Sequence, residues 1–208
     1  MSVAFEFLDV PDDHFAEDEQ AYGELAAEAR RLVELTIRSE VDPDLVRAAT
    51  ARLREVNATL ADRMKDGPAG VAVNATGRSW NWGNAVVGER NAIAPPLRIE
   101  HLEPGRARAE VELGAAYEGP PGMVHGGVSA LLLDHLMGET ASSGFTRVTM
   151  TGTLTLRYLV PLPLGPVVLE ARIAEDDGRK VVVTASIGTR EEVAVEASGI
   201  FIVPSWAR

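Results

Sequence analysis

Gly119-Pro-Pro-Gly-Met-Val-His125-Gly126-Gly127-Val-Ser-Ala-Leu-Leu-Leu-Asp134-His135 is the stretch on which the fold turns. Two prolines and two glycines end an extended run. A histidine and a Gly-Gly pair follow, and an apolar, helix-like segment then carries one carboxylate in its middle. The first amides of a helix have no partner inside it and point out of its partially positive end. Bare glycine amides there suit an oxygen that is gaining negative charge. Asp134 lies eight residues after Gly126, about 12 Å further along the axis at about 1.5 Å per residue. A carboxylate so far off cannot serve the same reacting carbonyl, which needs both groups within about 3 Å. Either the two features are unrelated, a glycine-rich turn before a core helix with a stray aspartate, or a second copy of the helix supplies the aspartate. The second option makes a dimer with two composite sites.

Working outward, the helix from Gly126 to Ser143 is apolar on most sides: Val128, Ala130, Leu131, Leu132, Leu133, Leu136 and Met137. A helix of that kind is buried. On either side the period drops to two. Leu97–His101 and Arg106–Leu113 form strands around Glu103-Pro-Gly-Arg, with Ala107, Ala109, Val111 and Leu113 alternating with Arg108, Glu110 and Glu112. After the helix come strands over 149–158, 167–174, 180–189 and 193–203, the first with Thr149, Thr151, Thr153 and Thr155 expected on one face. Two strands, a helix and a run of strands mean α+β, not a parallel α/β sheet.

The N-terminal part reads differently. Residues 1–16 form a tail. Apolar residues from Tyr22 to Ile37 recur at helical spacing. Asp42-Pro43 gives a second helix an N-cap and a proline at its first position. Leu45, Val46, Ala49, Leu53, Val56, Leu60 and Met64 line one face of it, and Gly67-Pro68 stops it. The chain therefore divides into a helical-hairpin extension (1–66), an irregular connector rich in Gly, Asn and Pro (67–96), and a sheet-and-helix domain (97–208). Trp80 and Trp82 are expected to anchor the connector.

Composition bounds the function. The 208 residues are 46% apolar and 25% charged, as in an ordinary globular chain. No run is long and apolar enough to span a bilayer. The first residues carry acids and no basic segment, so they do not read as a signal peptide. With no cysteine, disulfides, thiolate metal sites and a cysteine nucleophile are excluded, which fits a cytoplasmic protein. Four scattered histidines propose no metal site. The net charge is −11, which repels nucleic acid and anionic membranes. Residues 1–70 hold 16 of the 31 acids and 8 of the 20 bases. The extension is thus the acidic part, and a DNA-binding role for its helices is disfavoured.

Tyr117-Glu-Gly-Pro-Pro-Gly-Met-Val-His125-Gly-Gly, with Asp134 nine residues after the histidine, resembles the acyl-CoA thioesterases of the hotdog fold. The likeness is to the phenylacetate-pathway and thioesterase-superfamily-member branch. It continues through Thr151-Gly-Thr-Leu-Thr-Leu-Arg-Tyr158, Pro161-Leu-Pro163 and Gly178-Arg-Lys180. The resemblance implies an antiparallel sheet wrapped around a central helix, in a homodimer or tetramer. It implies Asp134 as general base or nucleophile, an oxyanion site at the Gly126–Gly127 helix start, and His125 as the residue that shapes the loop. Thr151 falls where relatives place a hydroxyl that orients the attacking water. On a chain this acidic, Arg179 and Lys180 are the cations expected to meet coenzyme A phosphates. No cofactor is implied beyond the coenzyme A of the substrate. Many relatives carry asparagine six residues before the motif histidine, where this chain has Gly119. A non-catalytic acyl-CoA-binding hotdog module therefore stays open beside the enzyme.

Overall fold

The computed structural model describes residues 5–143 and 147–207. Residues 1–4 of the expected tail lie outside them. The core is a six-stranded antiparallel sheet laid against one helix. Its strands are β4 (Arg98–Glu103), β5 (Arg106–Leu113), β6 (Met150–Tyr158), β7 (Gly165–Asp176), β8 (Lys180–Gly188) and β9 (Val193–Ile202), in the spatial order β4-β5-β7-β8-β9-β6. Helix α3 (Gly126–Ala141) packs on the inner face.

Period-two alternation drives this arrangement. Ala107, Ala109 and Leu113 of β5, Val167, Leu169 and Ala171 of β7, and Val181, Val183 and Ile187 of β8 all turn inward and are buried. They meet Leu132, Leu133, Leu136 and Met137 of α3, each with no exposed surface. Fully burying such a side chain contributes about 1.5–3 kcal/mol, so this one layer holds α3 firmly. The helix is not buried all round, however. Gly127 and Leu131 are exposed and Asp134 is half-buried, which leaves one stripe of α3 open.

The threonines of β6 do not share a face. Pairing of β6 with β9 shifts register between Thr151 and Thr153, so Gly152 forms a bulge. A bulge inverts the alternation beyond it. Thr149 and Thr151 turn toward α3, where they bond Ser142 and Asp134. Thr155 lies on the outer face with Arg106 and Glu170.

The first half also departs from expectation. Helices α1 (Ala16–Arg38) and α2 (Pro43–Ala61) form where the periodicity puts them. The tail, however, carries β1 (Phe5–Leu8), and the connector carries β2 (Val71–Asn74) and β3 (Ser79–Trp80). These make a separate three-stranded sheet, with β1 parallel to β2 and β2 antiparallel to β3. Trp80 and Trp82 are anchors, but for the tail: each ring meets Phe15 edge-on at 5.0 and 5.1 Å.

Candidate active site

The approach to α3 is built by backbone bonds. Met123 N–H donates to the Pro120 carbonyl (2.9 Å) and Gly122 takes φ of +73°, a turn with proline second and glycine third. The Glu118 carboxylate accepts from the Gly122 amide (2.6 Å). His125 N–H donates to Tyr117 O (2.9 Å), and Gly119 N–H to Met123 O (2.9 Å). The turn folds so tightly that a Cβ on Gly119 would lie 2.8 Å from the His125 Cα. This close approach of two backbone segments favours glycine at position 119.

His125 is the N-cap of α3, and its Nδ1 accepts the Gly127 amide (3.0 Å). That bond corrects the expected pair of free glycine amides. Gly127 is already used by the histidine that shapes the loop, while the Val128 amide bonds the His125 carbonyl (2.8 Å). Gly126 is left, at the first position of the helix, and its N–H donates to no acceptor among the described residues. Its carbonyl takes the Tyr158 hydroxyl proton (2.9 Å), so β6 braces the helix start.

At the other end of the same strand, Thr151 Oγ1 donates to Asp134 Oδ1 at 3.0 Å. Strand β6 thus touches α3 twice, by Thr151 at the aspartate and by Tyr158 at the Gly126 carbonyl. Within one chain the two groups stay two helical turns apart. His135 makes no bond to Asp134; its Nε2 lies 3.7 Å from Glu139, which also bonds His101 Nε2 at 3.1 Å. Burial pushes the His135 imidazole down from its ordinary value, with the Asp134 charge opposing. Burial pushes the Glu139 carboxyl up, with the His101 bond opposing. This trio was missed in the sequence. The i,i+4 spacing of His135 and Glu139 on α3 is legible, but His101 arrives from strand β4.

Arg179 and Lys180 occupy the β7–β8 turn, where the Asp177 carboxylate accepts both of their amides (2.9 and 2.6 Å). These bonds hold the Asp177 carboxyl below the ordinary range, the Lys180 amide contributing most. Lys180 and Met150 both pair with Ile202. The two cations therefore lie at the end of the sheet that carries Thr151.

An antiparallel sheet wrapped on one central helix is the hotdog fold. The family model described as thioesterase superfamily matches residues 121–195. A crystal structure of a thioesterase superfamily protein superposes with a TM-score of 0.75 and 34% identity, covering 87% of this chain and 94% of that one. The chain belongs to the thioesterase superfamily. It is also similar to acyl-coenzyme A thioesterase THEM4 of Xenopus laevis, 37% identical over 92 residues, and of Mus musculus, 36% identical over 92 residues. Those matches take in 43% of this chain and 41% and 39% of the relatives, so the chain spans well under half of their length.

Proposed function

We propose that the chain hydrolyses the thioester of an acyl- or aryl-CoA at a site shared by two copies. The carrying observation is the Thr151–Asp134 bond on the open stripe of α3, two turns from the unpartnered Gly126 amide. Strand β6 is an edge of the sheet and mostly exposed, a form that invites pairing with another strand. Two copies related by a twofold axis, β6 beside β6 and α3 antiparallel to α3, bring Asp134 of one toward Gly126 of the other. The carbonyl oxygen then takes the Gly126 amide, whose N–H stabilises the developing oxyanion. The partner subunit's Asp134, oriented by Thr151, accepts a proton from water or attacks the carbonyl carbon. A thiolate leaves without needing protonation, so one carboxylate suffices. Arg179 and Lys180 face the coenzyme A phosphates.

The test uses two inactive variants. Asp134→Asn removes the base. Gly126→Pro removes only the amide, because proline is tolerated at a helix's first position, and Gly126→Ala controls for the added Cβ near Tyr158. Each of the first two should lose thiol release from acyl-CoA while Gly126→Ala keeps it. Mixed dimers of Asp134→Asn with Gly126→Pro should regain activity, since one of their two sites is intact. Inactive mixed dimers would refute the shared site. An active Asp134→Asn homodimer would refute the base.

A further inference from the structure

A cavity of about 500 Å³ opens beside the first two turns of α3, and its outer wall comes from the N-terminal extension. The residues that define it are Val33 and Glu34 of α1, Ile93 of the connector, Tyr117, and Val128 and Leu131 of α3. Glu34, Tyr117 and Arg30 of its lining are already committed. The Glu34 carboxylate accepts the Ala115 amide (2.8 Å). The Tyr117 hydroxyl donates to the Ile93 carbonyl (3.1 Å). Arg30 donates to the carbonyls of Ala94 and Glu89, each at 3.1 Å. Arg31 and Glu112, both exposed, also line the space, and the rest of the lining is apolar. Val33 (41% exposed), Ile93 (69%) and Leu131 (43%) are three large apolar side chains around one opening, and together they want a cover. Val128 and Leu131 place the inner wall of the cavity on the first two turns of α3, the helix that starts at Gly126.

We infer that this cavity receives the acyl group of the substrate and that α1, through Val33, selects it. The inference rests on the thioesterase reading above and deepens it. Lined mainly by apolar side chains, with Glu34, Tyr117 and Arg30 already bonded, the cavity favours an uncharged, apolar group over a phosphate or a carboxylate. Its volume lies within the span of small-molecule pockets, roughly 300–1,000 Å³, and suits a medium-chain or aryl acyl group of roughly six to ten carbons. The thioester would lie at Gly126, with the acyl group running along Val128 and Leu131 beneath α1. The hotdog domain thus performs the chemistry, and the extension determines what is hydrolysed.

Val33→Trp fills the cavity from the side remote from Gly126 and Asp134, at a position exposed enough to leave the melting curve unchanged. Its kcat/KM for octanoyl-CoA should fall by a factor of ten or more, while acetyl-CoA turnover stays within twofold of wild type. Val33→Ala should move the preference toward longer chains. The hydrolysis-resistant thioether S-octyl-CoA provides a readout independent of chemistry. Wild type should bind it, and Val33→Trp should weaken that binding at least tenfold. If wild type hydrolyses acyl-CoA but Val33→Trp changes neither the chain-length profile nor thioether binding, the acyl site lies elsewhere and the hydrolase reading stands. If wild type hydrolyses nothing yet Val33→Trp weakens thioether binding, the pocket stands and the hydrolase reading falls. A wild type that does not bind S-octyl-CoA overturns the pocket.

Discussion

The two halves of the chain hold their helices by different means. Helix α3 is fixed by a continuous apolar layer, with Leu132, Leu133, Leu136, Met137 and Ala141 fully buried. Helix α1 buries only Ala26 and is held by individual bonds: Glu34 to the Ala115 amide, Arg30 to the Ala94 and Glu89 carbonyls, and Arg90 to Asp18. The Arg90 guanidinium also lies between the Tyr22 and Trp82 rings, at 3.9 and 3.6 Å. Helix α2 has an apolar stripe of the same kind yet buries nothing, and its side-chain bonds stay within itself. Amphipathic spacing tells a helix which face to hide. Specific polar partners decide where it docks, and α2 has none among the described residues.

The comparison implies that damage to the second half removes chemistry, whereas damage to the first changes access. The largest effect should follow Asp134→Asn, a loss in kcat/KM on the order of 10² or more, the usual scale for a positioned general base. The amide keeps the carboxylate's size, so the melting curve should hold. Thr151→Val should cost less, about tenfold in kcat with KM nearly unchanged, because the hydroxyl positions Asp134 and does not react. A variant that lost stability and kept turnover per folded molecule would make Asp134 structural.

Next in size is Gly119→Asn. Its Cβ would press on the His125 backbone at 2.8 Å. Overpacking of this kind costs about 1–3 kcal/mol, and the loop that presents Gly126 would move with it. Lower melting temperature and lower activity together are expected. A gain in activity at unchanged stability would show that the turn relaxes and admits the amide.

Much of this was legible in the sequence, and the parts that were not have identifiable reasons. The strands of the main sheet and α3 follow from periods of two and 3.6, which local sequence records directly. Asp134 was conspicuous as an acid among leucines. The orientation of Thr151 was not, because simple alternation puts it with Thr155. Only the bulge at Gly152, which depends on the register of β6 against β9, turns it to Asp134. The occupation of the Gly127 amide depends on the rotamer of His125, and local sequence does not encode that. Strands β1 and β2 pair across more than sixty residues. The wall that α1 gives to the cavity is likewise a long-range contact.

A smaller effect should come from Glu34→Ala, which removes the clamp between α1 and the Ala115 amide. A hydrogen bond to a charged group at this half-buried place contributes about 1–2 kcal/mol. The loss should be local. Hydrogen exchange should quicken in the second half of α1 and at Ala115, with the amides of β7 and β8 unchanged. Octanoyl-CoA selectivity should loosen along with it. Uniformly faster exchange through the main sheet would mean that α1 belongs to the core and that the two halves are not held independently.

The smallest effect concerns the tail, and it separates the halves by pH. The Asp12 carboxylate accepts from Thr76 Oγ1 (2.6 Å) and Asn74 Nδ2 (2.7 Å). The Thr76 bond contributes most to holding its pKa below the ordinary 3.8; Asn74 adds to it, burial opposes and the Arg78 charge assists. A carboxyl depressed on folding contributes stability that is present above its unfolded pKa and lost as pH falls through its folded one. The tail should therefore remain docked at neutral pH and loosen below about pH 4. Phe15 touches both Trp80 and Trp82, so tryptophan fluorescence in a Trp206→Phe background reports the release. The other depressed carboxyls, Glu110, Asp176 and Asp177, belong to the main sheet, away from those rings. Asp12→Asn should show the altered fluorescence at all pH values and no acid step of its own. If wild type and Asp12→Asn share the same acid step, the signal comes from the main sheet, and the tail is held by Phe15 and the β1–β2 pairing without help from Asp12.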